Sequence, residues 1–186
     1  MGEGADIVIT DAARTQEGGM VIAGYNQASG GKSFLMNMAA DGTFRWGKEF
    51  GQEHTSYGLW HVSVDSIGTI LLFGNEHIVA FSSDGVLQWL NKYRINRGAT
   101  ITFLQPISNR RYIIGGYAEV LEYSGKLDYF GPFVVLLDSI GKAHSGCDGL
   151  GGNDGQWIYN YYSSAIELAD HSILSLCQRY DSLQPS

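Results

Sequence analysis

Apolar residues fall in short runs separated by glycine, aspartate and serine. The clearest are Met20-Val-Ile-Ala23, Ile70-Leu-Leu-Phe73, Ile78-Val-Ala-Phe81 and Phe133-Val-Val-Leu-Leu137. Runs of about five residues bounded by turn formers predict buried β-strands. The Asp-Gly pairs at Asp41-Gly42 and Asp84-Gly85 directly follow such runs. There a positive φ closes a hairpin at little cost.

The runs repeat. One unit reads Gly18–Tyr25, then Ser33–Gly42, then Phe44–Gly51. A second reads Gly68–Asn75, His77–Gly85 and Leu87–Tyr93. A third holds Arg111–Tyr117 and Phe133–Gly141. A glycine ends the first run at Gly24, Gly74 and Gly116, and a turn glycine recurs at Gly42, Gly85 and Gly141. Trp46 and Trp89 each stand four residues past the turn glycine, and Phe50 and Tyr93 four residues further on. The turn glycines are spaced by 43 residues (Gly42 to Gly85) and 56 residues (Gly85 to Gly141). Such lengths suit a four-stranded blade. A leading strand precedes each unit at Asp6–Thr10, Leu59–Val64 and Ala99–Gln105, and the pattern restarts at Trp157–Ile166 and His171–Gln178.

The expected fold is therefore all-β: antiparallel propeller-type blades, three complete and a fourth partial, about 14 strands in one domain over 1–186. The blades are placed at about 6–51, 57–93, 99–149 and, in part, 157–180. Gly24, Gly74 and Gly116 are expected where backbones approach closely, and Trp46 and Trp89 where neighbouring sheets need filling. A fourth blade without its outer half leaves open edges, which invite pairing with another chain. The chain is thus read as a piece of a larger propeller, with ring closure by a second copy or a compact four-bladed form as the alternatives.

Composition agrees. Charged residues make up only 17% of the 186, while Gly reaches 25 and Tyr 11. The net charge is −7, and Arg110-Arg111 is the only adjacent basic pair. Nucleic-acid binding, which needs clustered positive charge, is disfavoured. No apolar stretch approaches the roughly 20 residues of a membrane helix, and the first residues lack the pattern of a signal peptide. Cys147 and Cys177 are the only cysteines. They are read as separate buried thiols or, in an oxidising compartment, as one disulfide.

Ala40-Asp-Gly-Thr-Phe-Arg-Trp-Gly-Lys-Glu-Phe-Gly51 and Ser83-Asp-Gly-Val-Leu-Gln-Trp-Leu-Asn-Lys-Tyr93 resemble the repeats of bacterial β-propeller proteins and are similar to the blades of quinoprotein-like propellers. Gly18–Tyr25 fits the opening of that repeat. In the third unit Ser145 stands where a tryptophan is expected. The resemblance implies a binding or scaffold module in an extracellular or periplasmic setting, an inference by association.

Chemical motifs are sparse. The histidines at 54, 61, 77, 144 and 171 form no His-x-His or His-x-x-x-His pair, so no zinc site is signalled. Each is expected to be solvated or singly hydrogen-bonded. Asp41-Gly42, Asp84-Gly85 and Asp154-Gly155 lack the ladder of a calcium loop and read as turns. Gly30-Gly31-Lys32-Ser33 lacks the upstream glycine of a phosphate loop, since residue 26 is Asn. No catalytic residue, metal or cofactor is expected. Asp65, Asp128, Asp138, Asp148 and Glu122 lie near strand ends, and a spatial pair among them is the basis of an alternative: a piece of a propeller enzyme, a hydrolase or lyase, with carboxylates near the axis.

The third unit is longest between its two anchor glycines, and the surplus lies at Ala118–Pro132. Irregular loops over a rigid scaffold concentrate function. This stretch carries Tyr123, Tyr129 and Phe130, and Trp157–Tyr162 carries Trp157, Tyr159 and Tyr161. Packing in the core is the more economical account of them. Exposed, they suit stacking on a sugar or a protein partner. The expected role is a non-catalytic module for a protein or carbohydrate partner.

Overall fold

The structure, a computed structural model, describes residues 7–27, 31–50, 59, 61–93, 99–121, 127–148 and 158–181. These residues form fourteen strands, each pairing antiparallel with its chain neighbours in the same sheet. β1 (Ile7–Arg14), β2 (Met20–Asn26), β3 (Lys32–Met38) and β4 (Phe44–Phe50) form the first sheet, in that order. β5 (His61–Val64), β6 (Ile70–Gly74), β7 (His77–Phe81) and β8 (Leu87–Lys92) form the second. The third holds β9 (Ala99–Ile107), β10 (Arg111–Leu121), β11 (Leu127–Leu137) and β12 (Ala143–Asp148). The fourth holds β13 (Ile158–Glu167) and β14 (Ile173–Asp181). Among the described residues the only helical element is a single 3-10 turn, Ser108–Arg110. The fold is all-β, built of four-stranded antiparallel meanders of the propeller-blade kind. The chain divides into two compact units, 1–92 and 93–186.

One hairpin geometry recurs six times. In Thr15–Gly19, Ala39–Thr43, Asp65–Thr69, Ser82–Val86, Asp138–Lys142 and Leu168–Ser172, the first residue donates its N–H to the fifth and accepts one from the fourth. The fourth residue has positive φ and is glycine in five of the six; His171 (φ 65) is the exception. Asp65 and Asp138 each accept two backbone N–H bonds from their own turn, at 2.8–3.0 Å. The aspartates that sequence analysis weighed as an acid pair or a calcium loop are, in these turns, hydrogen-bond acceptors that fix the hairpin.

The anchor glycines have a steric origin. β1 and β9 carry a bulge, with Thr10 and Thr102 as the extra residues. Each hydroxyl reaches 3.4 Å to a carbonyl of the neighbouring strand, at Ala23 and Gly115. The bulge presses the preceding backbone against the second strand. A Cβ on Gly24 would come within 2.1 Å of the Val8 carbonyl, and one on Gly116 within 1.9 Å of the Thr100 carbonyl. Gly74 differs: β5 pairs with β6 without a bulge, and Gly74 flanks the two-residue turn at Asn75-Glu76.

Within the first unit the two sheets share one core. Val21, Ala23 and Leu35 meet Leu59, Val62, Ile70, Leu72, Val79 and Phe81, all buried, with Trp46 and Phe50 packed alongside. Each such aliphatic side chain contributes about 1.5–3 kcal/mol when fully buried. Trp46 fills the role expected of it. Its indole N–H donates to the Ser83 carbonyl at 3.0 Å, and its ring lies over Gly85. Asn37 donates to the same carbonyl at 3.1 Å. The ring of Phe50 stands 5.4 Å from that of Phe81. In the second unit β13 packs across β9, β10 and β11. The Tyr93 hydroxyl donates to the Gly141 carbonyl.

The expected irregular insertion at Ala118–Pro132 is, over most of its length, regular sheet. Ala118 pairs with Gly131, Glu119 with Phe130 and Val120 with Tyr129. β-Favouring residues on both arms let the hairpin lengthen instead of looping out. Residues 122–126 lie outside the described set.

Gly42 and Gly85 hold the same place in their turns, each with φ +83, but only Gly85 has an indole over it; a Cβ on Gly42 would meet nothing within 4 Å. Gly42→Ala should cost about 1–2 kcal/mol of backbone strain. Gly85→Ala should cost at least about 1 kcal/mol more, from overpacking. Urea unfolding of both variants measures the difference, and equal losses would contradict the Trp46 contact.

Candidate functional site

Meander topology gives each sheet two unlike ends. The six recurrent turns and the Ser108–Arg110 turn all lie at one end, because they join first to second or third to fourth strands. Side-chain bonds between sheets tie these ends together within each unit. Gln16 bonds the Ser66 carbonyl in the first, and Glu167 bonds Ser108 in the second. The connections of varied length lie at the opposite end. There β2–β3 is joined through 27–31, β6–β7 through 75–76 and β10–β11 through 122–126, and the sheet-to-sheet links are 51–60, 93–98 and 149–157.

Of the six aromatic candidates, the four that fall in described strands, Tyr129, Phe130, Tyr159 and Tyr161, lie at this variable end in the second unit. Tyr123 lies in the β10–β11 connection and Trp157 directly before β13, both outside the described residues. Tyr129 and Phe130 occupy the start of β11, in register with Val120 and Glu119. Tyr159 and Tyr161 occupy the start of β13, in register with Tyr180 and Gln178. Sequence separations of about 30 residues thus converge on the same end of two packed sheets.

The acidic candidates divide between the ends. Asp65 and Asp138 sit in the recurrent turns. Asp128 is the extra residue of a bulge near the start of β11, and Asp148 ends β12 in register with Phe133. At about 3.3 Å per residue the backbone positions of Asp128 and Asp148 lie roughly 15 Å apart, beyond the roughly 5–10 Å between carboxyl groups used in glycoside hydrolysis. Glu122 lies outside the described residues. Among the described residues no group of three or more His, Cys, Asp or Glu is placed to hold a metal ion. No helix among them is long and apolar enough to cross a membrane.

Two polar clusters escaped sequence analysis because their partners are more than 45 residues apart. In the first unit, Asp11 follows the β1 bulge. Its carboxylate accepts the Val62 N–H at 3.1 Å and lies 3.5 Å from His61 Nδ1, while the His61 ring stacks on Phe73 with centroids 5.4 Å apart. In the second unit, Glu167 at the end of β13 accepts the Ser108 N–H at 2.7 Å, the Ser108 hydroxyl at 2.8 Å and Arg111 Nη2 at 2.9 Å. His171 Nδ1 adds a contact at 3.0 Å. The Glu167 side chain is only 11% exposed. The backbone N–H of Ser108, with lesser help from His171, the Ser108 hydroxyl and Arg111, holds its carboxyl down at about 2. Both carboxylate oxygens are occupied, so the cluster ties the third sheet to the fourth. Asp11 is thus the polar partner of His61, and Glu167 that of His171. Burial holds His77 below its ordinary value, helped by Lys92 opposite it.

No protein-family model matches the chain, and no curated protein matches it. Solved structures do match. A protein of unknown function from Bacteroides caccae is 14% identical, with a TM-score of 0.45, over 80% of this chain and 69% of that one. A quinohemoprotein alcohol dehydrogenase from Comamonas testosteroni is 19% identical, with a TM-score of 0.49, over 82% of this chain and 30% of that one. A catalytically inactive virginiamycin B lyase from Staphylococcus aureus, solved with quinupristin, is 9% identical, with a TM-score of 0.43, over 98% and 72%. These are likenesses of fold at low identity. They single out no repeat family and transfer no residue role to this chain.

The Glu167 cluster makes a pH prediction. A carboxyl held at about 2 when folded, against 4.5 otherwise, contributes stability that is complete above 4.5 and lost as pH falls toward 2. Glu167→Gln should flatten the pH dependence of unfolding across that window. An acid-unfolding profile with unchanged slope would contradict the cluster.

Proposed function

We propose that the chain is a non-catalytic propeller-type binding or scaffold module, whose protein or glycan partner is taken at the variable end of the third and fourth sheets. The observation supporting this reading is that Tyr129 and Phe130 begin β11 and Tyr159 and Tyr161 begin β13, at one end of two packed sheets, while Tyr123 and Trp157 are assigned to the same site from the sequence. Aromatic rings present a broad apolar surface with a polar edge, and two or three of them suffice to grip a sugar ring or a partner's apolar side chain. The regular turns at the other end each use two backbone hydrogen bonds to close themselves. The separation of recurrent turns from varied connections parallels the usual split between scaffold and function.

The rival reading, a piece of a hydrolase or lyase, has less support. Asp65 and Asp138 are committed to turns, and Asp128 and Asp148 are spaced too widely along the third sheet to act as a pair. An extracellular or periplasmic setting belongs to the same proposal. It rests on the repeat resemblance alone.

A glycan array and an immobilised peptide library, read with the intact chain, test the reading. Binding to one class is expected. Tyr129→Ala and Tyr161→Ala should each weaken it by about fivefold to tenfold. Lys142→Ala, at the turn end, should leave it unchanged. Equal loss in all three variants would sink the proposed location, and cleavage of an arrayed glycan would favour the enzyme.

A further inference from the structure

Within the first unit, the second sheet extends further outward than the cover the first sheet gives it. β4 is the outer strand of the first sheet and β8 that of the second. Residues paired across neighbouring strands share a face of their sheet. Leu90 pairs with Val79, and Leu87 with Phe81. Val79 and Phe81 belong to the core that meets the first sheet, and each is 2% exposed. Leu87 and Leu90 therefore lie on that same face, one strand further out. There they stand 56% and 53% exposed.

The position of β4 accounts for the boundary. Trp46 reaches Ser83 and Gly85 in the turn before β8, and the Phe50 ring stands beside Phe81 of β7. β4 thus lies over β7, and β8 projects past it as an apolar ledge. Along the ledge runs the outer edge of β4, which pairs with no strand among the described residues. Beyond its bulge at Arg45, β4 is regular from Trp46 to Phe50. Such an edge offers backbone N–H and C=O groups to an extended segment. A strand added there would stack over β8 as β4 stacks over β7. The floor suits it. Val79 and Phe81 are two positions apart on β7, and Gln88 is bulged out between Leu87 and Trp89. Leu87 and Leu90 therefore lie only about 7 Å apart along the strand, the repeat of alternate residues in an extended chain.

Charge selects the occupant. Lys48 pairs with Leu35, a residue of the shared core, so Trp46, Lys48 and Phe50 lie on the face of β4 turned toward the second sheet. Lys48 is exposed and stands at the centre of the regular stretch. A second copy pairing antiparallel through the same five residues would set Lys48 against its own counterpart, and like charges directly opposite are destabilising. An acidic side chain at that place is stabilising for the same reason. We propose that the outer edge of β4 takes an extended segment of a partner protein as a fifth strand of the first sheet, with an acidic residue beside Lys48 and apolar residues two positions to either side, covering Leu87 and Leu90. This site lies wholly in the first unit and is separate from the aromatic site of the second.

Fluorescence anisotropy of a labelled peptide, Thr-Val-Thr-Glu-Thr-Val-Thr, titrated with the intact chain tests the proposal. The peptide reads the same in both directions, so it fits a parallel or an antiparallel edge. It should bind, and the same peptide with Lys in place of Glu should bind about fivefold more weakly. Lys48→Glu, a change at an exposed position, should reverse that preference. Leu90→Ser and Leu87→Ser, each checked for unchanged circular dichroism and melting temperature, should weaken the Glu peptide by about fivefold through lost apolar contact. No binding at millimolar concentration would overturn the proposal, as would a preference that Lys48→Glu leaves in place. A wild-type dimer in sedimentation equilibrium that Leu90→Ser dissociates would give the ledge to a second copy and overturn it as well.

Discussion

A sheet that is apolar on both faces cannot stand alone in water, and the second sheet of this chain is of that kind. Every residue of β6 is buried, and four of the five in β7. Alternate side chains point to opposite faces, so both faces need cover. The front is covered by the first sheet, whose Val21, Ala23 and Leu35 meet Ile70, Leu72 and Val79. Repetition is the direct answer to this demand: a unit with two sticky faces finds its cover in another copy of the unit. The indole of Trp46 on Gly85 and the ring of Phe50 beside Phe81 are the edges of the same contact, sealing it at the turn and along the outer strand. Glu167 does the corresponding work in the second unit with charge and hydrogen bonds, at the inner turn of the third sheet.

Stacking also explains why the two ends of the sheets differ. Turns that touch a neighbouring sheet must keep their shape, and the chain meets that demand with six copies of one hairpin, five of them closed by a glycine at positive φ. The connections at the other end are free to vary in length. That freedom leaves the variable end as the place where aromatic side chains can be gathered without disturbing the stack.

Much of this was legible in the sequence. Strand runs, Asp-Gly turns and the Trp spacing pointed to an all-β antiparallel fold of the propeller kind, which the structure has. The glycine ending the first run was recognised, although its cause, a bulged neighbour carrying Thr10 or Thr102, shows only in the pairing. Two things were hidden. The surplus at Ala118–Pro132 looked irregular because its glycine and proline are turn signals, yet tertiary pairing carries strand through both Gly131 and Pro132. The clusters at Asp11–His61 and Ser108–Arg111–Glu167 join residues more than 45 positions apart, and no local spacing rule reaches that far. For Tyr129, Phe130, Tyr159 and Tyr161, sequence supplied the residues and topology the strand ends they occupy.

Amide hydrogen exchange, followed residue by residue on monomeric protein, tests most directly whether double-faced cover organises the fold. Amides of β6 and β7 should exchange most slowly, and those of β1, none of whose residues is buried, markedly faster. Protection in β1 equal to that in β6 would contradict the account.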